Sequence, residues 1–163
     1  MTAAEALART LIGSLRARGQ TVATAESLTA GLVSATLATV PGASAVLRGG
    51  LVVYATDLKH TLAGVDAGLL AEHGAVHPEV AGQLAVGARD RCAATWGLGL
   101  TGVAGPDPQD GVGPGTVHLG LAGPAGVTLR TITLAGERAE VRAGAVEAAL
   151  ELLQDALGGP DGE

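Results

Sequence analysis

The sequence predicts an α/β fold, a layered sandwich with a mixed, mostly parallel sheet. Segments with helical apolar spacing precede, separate and follow the short apolar runs that read as strands. The last two strand-like runs are joined by Gly123-Pro124-Ala125, a hairpin signal that adds antiparallel pairing to an otherwise parallel order. No internal repeat and no linker divides the 163 residues. One domain over residues 1–158 is expected, with a disordered tail at 159–163.

In chain order, residues 4–18 predict a helix with Leu7, Leu11, Ile12 and Leu15 on one face and Arg9, Arg16 and Arg18 on the other. Gly19 is its stop. Residues 21–24 read as a buried strand and residues 31–38 as a helix that ends before Pro41-Gly42. A second strand, residues 47–55, is entered through Gly49-Gly50 and followed by a helical turn over 56–62, closed by Gly64. Asp66 can cap a helix at 67–72, and Pro78 opens a longer one reaching about residue 94. Residues 96–103 form a third strand, with Gly97 and Gly99 thinning one face, and run into a loop at 104–114. The hairpin strands fall at 115–122 and 126–134. The closing helix, 137–157, carries Val141, Ala145, Ala148, Leu152 and Ala156 on one stripe.

Composition narrows the function classes. Phe is absent and Trp96 and Tyr54 are the only aromatics, so the core is built from Leu, Val and Ala, with Gly permitting close approach. A net charge of −6 argues against a general nucleic-acid binder. The single Cys92 excludes an internal disulfide and a Cys-based zinc site, and is expected to be a core residue inside a helix. The start lacks the basic region of a signal peptide, and no apolar run approaches the roughly 18 residues of a membrane span. A soluble, cytoplasmic protein without membrane partners is the expectation.

The stretch Ala25-Glu26-Ser27-Leu28-Thr29-Ala30-Gly31 links the first strand to the second helix. Backbone N–H groups are unpaired at a helix start, so a hydroxyl there can cap the helix, hold an anion or attack a carbonyl. Capping is the plainer role. Two other strand ends favour chemistry. Tyr54 and Lys59 flank the second strand-to-helix junction, and Lys59 is the one lysine beside nine arginines. An amine, unlike a guanidinium, can be buried in its neutral form and accept a proton. Leu100-Thr101-Gly102-Val103-Ala104-Gly105-Pro106 ends the third strand in small residues that let backbone approach a ligand. Parallel neighbouring strands would bring all three together at their carboxyl ends, where open α/β sheets bind ligands. His60, His73, His77 and His118 lack metal-ligand spacing and are expected at surface or capping positions, His77 as an N-cap before Pro78. Glu26 reads as a buried partner for an arginine, with a site carboxylate as the alternative.

The chain resembles the C-terminal domain of the competence-damage (CinA) family, the nicotinamide-nucleotide amidases. The resemblance runs from about residue 7 to residue 157. It rests on Ala25-Glu26-Ser27 with Thr29 and Gly31, Pro41-Gly42, Gly49-Gly50 to Tyr54 and Lys59, Gly64-Val65, His73-Gly74-Ala75-Val76, Thr101 to Pro106, and Val141-Arg142 with Ala145-Val146-Glu147. It implies hydrolysis of the carboxamide of nicotinamide mononucleotide to nicotinic acid mononucleotide and ammonia, with no metal or organic cofactor. It also implies a homo-oligomer with a small-molecule nucleotide as substrate. By position it makes Ser27 the nucleophile, Lys59 its base and Tyr54 a further catalytic residue. Thr29, Gly31, Thr101, Gly102 and Gly105 become substrate-binding positions, with Arg138 or Arg142 meeting the phosphate.

The chain departs from the family pattern at Leu28, at Ala30 where a glycine is usual, at residues 55–58, and at Asp107-Pro108-Gln109-Asp110. Many members carry an N-terminal molybdopterin-binding-like domain, for which this chain is expected to have no room. Two other functions stand beside the amidase: an amidase of another small amide, and a non-catalytic, competence-related interaction module.

Overall fold

The computed structural model describes residues 1–158; the tail expected at 159–163 lies outside them. Helix α1 spans Ala3–Arg18. Thr2 and Glu5 cap it reciprocally, and Gly19 closes it at φ 64°. Its buried residues are Ala8, Leu11, Ile12 and Leu15, three of them on the predicted apolar face.

Strand β1, Val22–Glu26, runs two residues past the predicted end at 24. It is paired on both sides, so its ladder continues to Glu26, opposite Val52 of β2 (Leu47–Val52) and Leu100 of β3 (Trp96–Gly102). Between β1 and β2 lies α2, Leu32–Ala38. Strand β2 stops at Val52, short of the predicted 55, which leaves Tyr54 beyond the ladder. Two short helices follow, α3 (Thr56–Thr61) and α4 (Ala67–His73), and Asp66 caps α4 as expected. Helix α5, Pro78–Arg91, ends before Cys92. Cys92 is therefore a half-buried C-cap packed at the margin of the core, not a residue inside the helix. Strands β4 (Thr116–Gly123) and β5 (Gly126–Thr133) form the predicted hairpin, and α6 spans Arg138–Leu157.

The sheet order is β2-β1-β3-β4-β5. Its pairings divide evenly, β1 with β2 and β3 in parallel, β3 with β4 and β4 with β5 antiparallel. Four of the five strands therefore point one way and β4 alone is reversed. The carboxyl ends of β1, β2 and β3 open on the same edge.

Helices cover both faces. On one, α1, α2 and α6 bury Leu11, Leu15, Leu37, Leu150 and Leu153 against Leu98, Leu100, Leu119 and Leu121. On the other, Val80, Leu84 and Ala88 of α5 pack with Ala23, Ala25 and Val53. Where α5 crosses β3 and β4, a methyl group added at Gly97, Gly99 or Gly120 would collide with the carbonyl of Ala81 or Ala85. Helix backbone thus rests directly on strand backbone, which is how a chain without Phe fills this interior. No helix among the described residues is long and apolar enough to cross a membrane.

Candidate active site

Ser27 follows the last residue of β1, and its N–H donates to Leu100 O at 3.0 Å, which fixes it against β3. A turn over residues 27–31 separates it from α2, whose N-cap is Gly31 at φ 98° with no side-chain cap. The first helical N–H groups are met by Glu26. Its carboxylate accepts from Val33 N at 2.8 Å and Ser34 N at 3.1 Å, and from the hydroxyls of Thr29 at 2.7 Å and Thr24 at 3.0 Å. The capping duty available to Ser27 is discharged by its neighbour. Glu26 has no arginine partner among the described residues, which corrects the sequence expectation: four donors from the chain itself satisfy it.

The Ser27 hydroxyl makes no hydrogen bond among the described residues and stands on the wall of a cavity of about 350 Å³. Leu28, Tyr54, Arg138 and the consecutive residues 102–109 complete the wall. The turn behind Ser27 is held from α6: Arg142 Nε donates to Leu28 O at 2.8 Å and its Nη2 to Thr29 O at 3.4 Å. Across the mouth, Arg138 donates to Gly105 O at 2.7 Å and to the Tyr54 hydroxyl at 2.8 Å. Neither arginine meets a carboxylate among the described residues, so both keep their positive charge uncompensated beside the cavity.

Lys59 lies on α3 and is 1% exposed, the largest fully buried side chain among the described residues. Its Nζ donates to Val53 O at 2.8 Å and Tyr54 O at 3.1 Å. Burial pushes its pKa down to about 8, against an opposing pull from the charge of Asp110. The amine is not on the cavity wall, and no hydrogen bond joins it to Ser27 among the described residues. It sits behind the 53–54 backbone, and Val53 N in turn donates to Glu26 O at 2.9 Å. Two backbone links therefore separate the amine from the peptide that carries Ser27.

Of the residues singled out from sequence, Ser27, Tyr54, Gly102, Gly105 and Arg138 line the cavity, and Thr29, Gly31, Thr101, Arg142 and Lys59 stand behind it. Thr29 serves Glu26, and the buried Thr101 hydroxyl donates to Ala75 O at 2.8 Å. Gly105 is at φ 87°, a conformation L side chains avoid, and a methyl group at Gly102 would lie 2.6 Å from Thr116 O. Sequence reasoning left out Leu28 as a wall residue and did not see that Glu26 releases Ser27. A carboxylate followed within eight residues by a helix with no Ser, Thr, Asp or Asn immediately before it was the available signal.

Among the histidines, His77 caps α5 as expected, its Nδ1 accepting from Glu79 N at 3.1 Å. His118 departs from the expected surface or capping role. It is 8% exposed on the α5 face of β4, paired with Thr131 Oγ1 at 2.8 Å, and burial together with nearby His77 pushes its pKa down.

Comparison with known proteins agrees with this architecture. The family described as CinA C-terminal domain matches residues 4–157. A CinA-like protein of Frankia casuarinae is 48% identical over 155 residues, covering 95% of this chain and 36% of that protein. A CinA-like protein of an Anaeromyxobacter strain is 49% identical over 158 residues, 95% of this chain and 38% of the relative. The chain thus spans little more than a third of the curated relatives it matches. The crystal structure of the competence/damage inducible protein CihA from Agrobacterium tumefaciens superposes with a TM-score of 0.93 at 36% identity, covering 98% of both chains. A competence or damage-inducible protein from Enterobacter asburiae gives 0.92 at 28% identity, with 97% of this chain and 100% of that one covered. With a family match over residues 4–157 and relatives 48–49% identical over 95% of its length, this chain belongs to the CinA C-terminal domain family.

Proposed function

We propose that this domain is a nicotinamide-nucleotide amidase that hydrolyses the carboxamide of nicotinamide mononucleotide to nicotinic acid mononucleotide and ammonia. The observation that carries it is the division of labour between Glu26 and Ser27. A serine relieved of capping stands on a cavity wall with two uncompensated arginines close by and a buried amine of lowered pKa behind it. A cavity of about 350 Å³ is within the usual range for small ligands.

In this reading Ser27 Oγ attacks the carboxamide carbon and its proton passes to neutral Lys59. Catalytic hydrogen bonds are often long without substrate and tighten in the complex, so the missing direct bond does not remove Lys59 from the role. The Leu28 N–H, which donates to no group among the described residues, stabilises the tetrahedral oxyanion. Protonated Lys59 returns the proton to the leaving nitrogen, ammonia departs, and water hydrolyses the acyl-enzyme to the carboxylate. The electron-withdrawing pyridinium ring favours attack. Arg138 receives the phosphate at the mouth, and Arg142 keeps the turn after Ser27 in shape.

The test is ammonia release from nicotinamide mononucleotide, followed by Ser27→Ala. Turnover by the native domain, lost in a variant that melts at the same temperature, supports the proposal. Full ammonia release by Ser27→Ala would falsify it, and so would silence of the native domain toward this nucleotide.

A further inference from the structure

Two polar residues of the cavity wall have no part in the amidase reading. Asp107 and Gln109 lie on the stretch where the chain leaves the family pattern, and both border the cavity together with Ser27 and Arg138. Gln109 N donates to Val112 O at 3.0 Å and Val112 N to Gln109 O at 2.8 Å, around Asp110 at φ 51° and Gly111 at φ 75°. Both backbone groups of Gln109 are thus engaged in a tight turn, which leaves its side-chain amide as the free group it brings to the cavity. Asp110, the next residue, is turned away from the wall. Its carboxylate accepts from Ala75 N at 3.2 Å, and a methyl group on Gly74 would lie 2.9 Å from its Cγ and Oδ2. The bridge on one side and the Asp110 anchor on the other hold this part of the wall in shape before a ligand arrives.

Asp107 and Arg138 are the two charged residues of the wall, and they do not pair with each other among the described residues. Arg138 donates instead to Gly105 O at 2.7 Å and to the Tyr54 hydroxyl at 2.8 Å. A carboxylate repels a phosphate and can only accept hydrogen bonds, so the ligand group that suits Asp107 is a neutral donor. An amide beside it both donates and accepts, as a hydroxyl does. The nucleotide proposed above has three polar parts. Its carboxamide belongs at Ser27 and its phosphate at Arg138, and the ribose, with two adjacent hydroxyls, lies between them in the covalent structure. We propose that Asp107 and Gln109 form a ribose subsite: the carboxylate accepts from the paired hydroxyls, the amide bonds the same pair, and the cavity thereby selects a ribonucleotide. The inference rests on the amidase reading for what sits on either side of the sugar, but recognition of the hydroxyls is observable without turnover.

The test is calorimetric binding to Ser27→Ala, which prevents hydrolysis by the proposed nucleophile, of nicotinamide mononucleotide and of its analogue lacking both ribose hydroxyls. The analogue is expected to bind about 10–100-fold more weakly, the range for lost hydrogen bonds that include one to a charged group. Adding Asp107→Ala and Gln109→Ala together should bring the parent nucleotide down to the affinity of the analogue and leave the analogue unchanged, closing the cycle. Both side chains are exposed and the turn is held by backbone bonds, so the fold is expected to survive the change. Equal binding of the two nucleotides to Ser27→Ala overturns the inference, as does absence of binding by either. An equal loss for both nucleotides in the added variant also overturns it, because the wall would then be meeting the pyridinium ring or the phosphate. If the hydroxyl dependence is seen while the native domain releases no ammonia, the amidase reading fails and the ribose subsite stands.

Discussion

Arg138 Nη2 donates to the Tyr54 hydroxyl at 2.8 Å, joining the first residue of α6 to the segment after β2 across 84 positions of sequence. This contact spans the mouth of the cavity. It also orients the guanidinium without neutralising it, because a phenol brings no negative charge.

Arg138→Ala is therefore expected to raise KM for nicotinamide mononucleotide by about 10–100-fold, the range of a lost charge-assisted contact to an anion, with a smaller change in kcat. Tyr54→Phe should raise KM less, since it loosens the arginine and leaves its charge. Steady-state kinetics of both variants check this, and a purely kcat-borne loss in Arg138→Ala would count against a phosphate role.

Lys59 predicts two pH effects. If the neutral amine is the base, kcat/KM climbs as pH rises through about 8. Stability follows the same residue. Its folded pKa lies below the unfolded 10.5, so between about 8 and 10.5 the unfolded chain holds a proton that the folded one has released. Stability relative to Lys59→Met therefore rises with pH across that window, by up to about 3 kcal/mol. Urea midpoints at several pH values measure it, and a difference that shrinks with pH contradicts the burial described.

Glu26→Gln puts an amide NH2 where four donors converge. At least one charge-assisted bond is replaced by a donor facing a donor, at a cost of about 2–4 kcal/mol. Chemical denaturation should show this loss, and activity should fall with it because the turn carrying Ser27 loses its fixed start.

Ala30 sits at φ 46°, where a Cβ is strained. Ala30→Gly removes that strain, and part of the gain is offset by the freedom glycine has when unfolded. A net stabilisation of about 0.5–1 kcal/mol is expected, readable as a rise of about 1–4 °C in Tm. The reverse holds at Gly99, where a methyl group meets the Ala81 carbonyl: Gly99→Ala should destabilise by about 3 kcal/mol or more.

What was legible in the sequence was what depends on local pattern. Leu11, Ile12 and Leu15 announce the buried face of α1, Asp66 and His77 announce caps, and Gly123-Pro124-Ala125 announces the hairpin. Strand ends were harder, because β1 extends to Glu26 only by virtue of partners on both sides, and those partners are distant in the chain. The site divided in the same way. Ser27, Tyr54 and Lys59 stand out by residue type. That Lys59 lies behind the wall, that Arg142 holds a turn while Arg138 faces the mouth, and that His118 is buried all depend on how α3, α6 and β4 are seated. No spacing rule encodes that seating.

The reciprocal duties of Glu26 and Ser27 have a consequence for inheritance. If Ser27 is the nucleophile proposed above, neighbouring codons answer to different demands, one to keeping the polypeptide folded and the other to what the polypeptide does. A lineage in which turnover no longer mattered would then retain the acid and let the alcohol drift to alanine or glycine, and the identity of residue 27 would tell working members from retired ones.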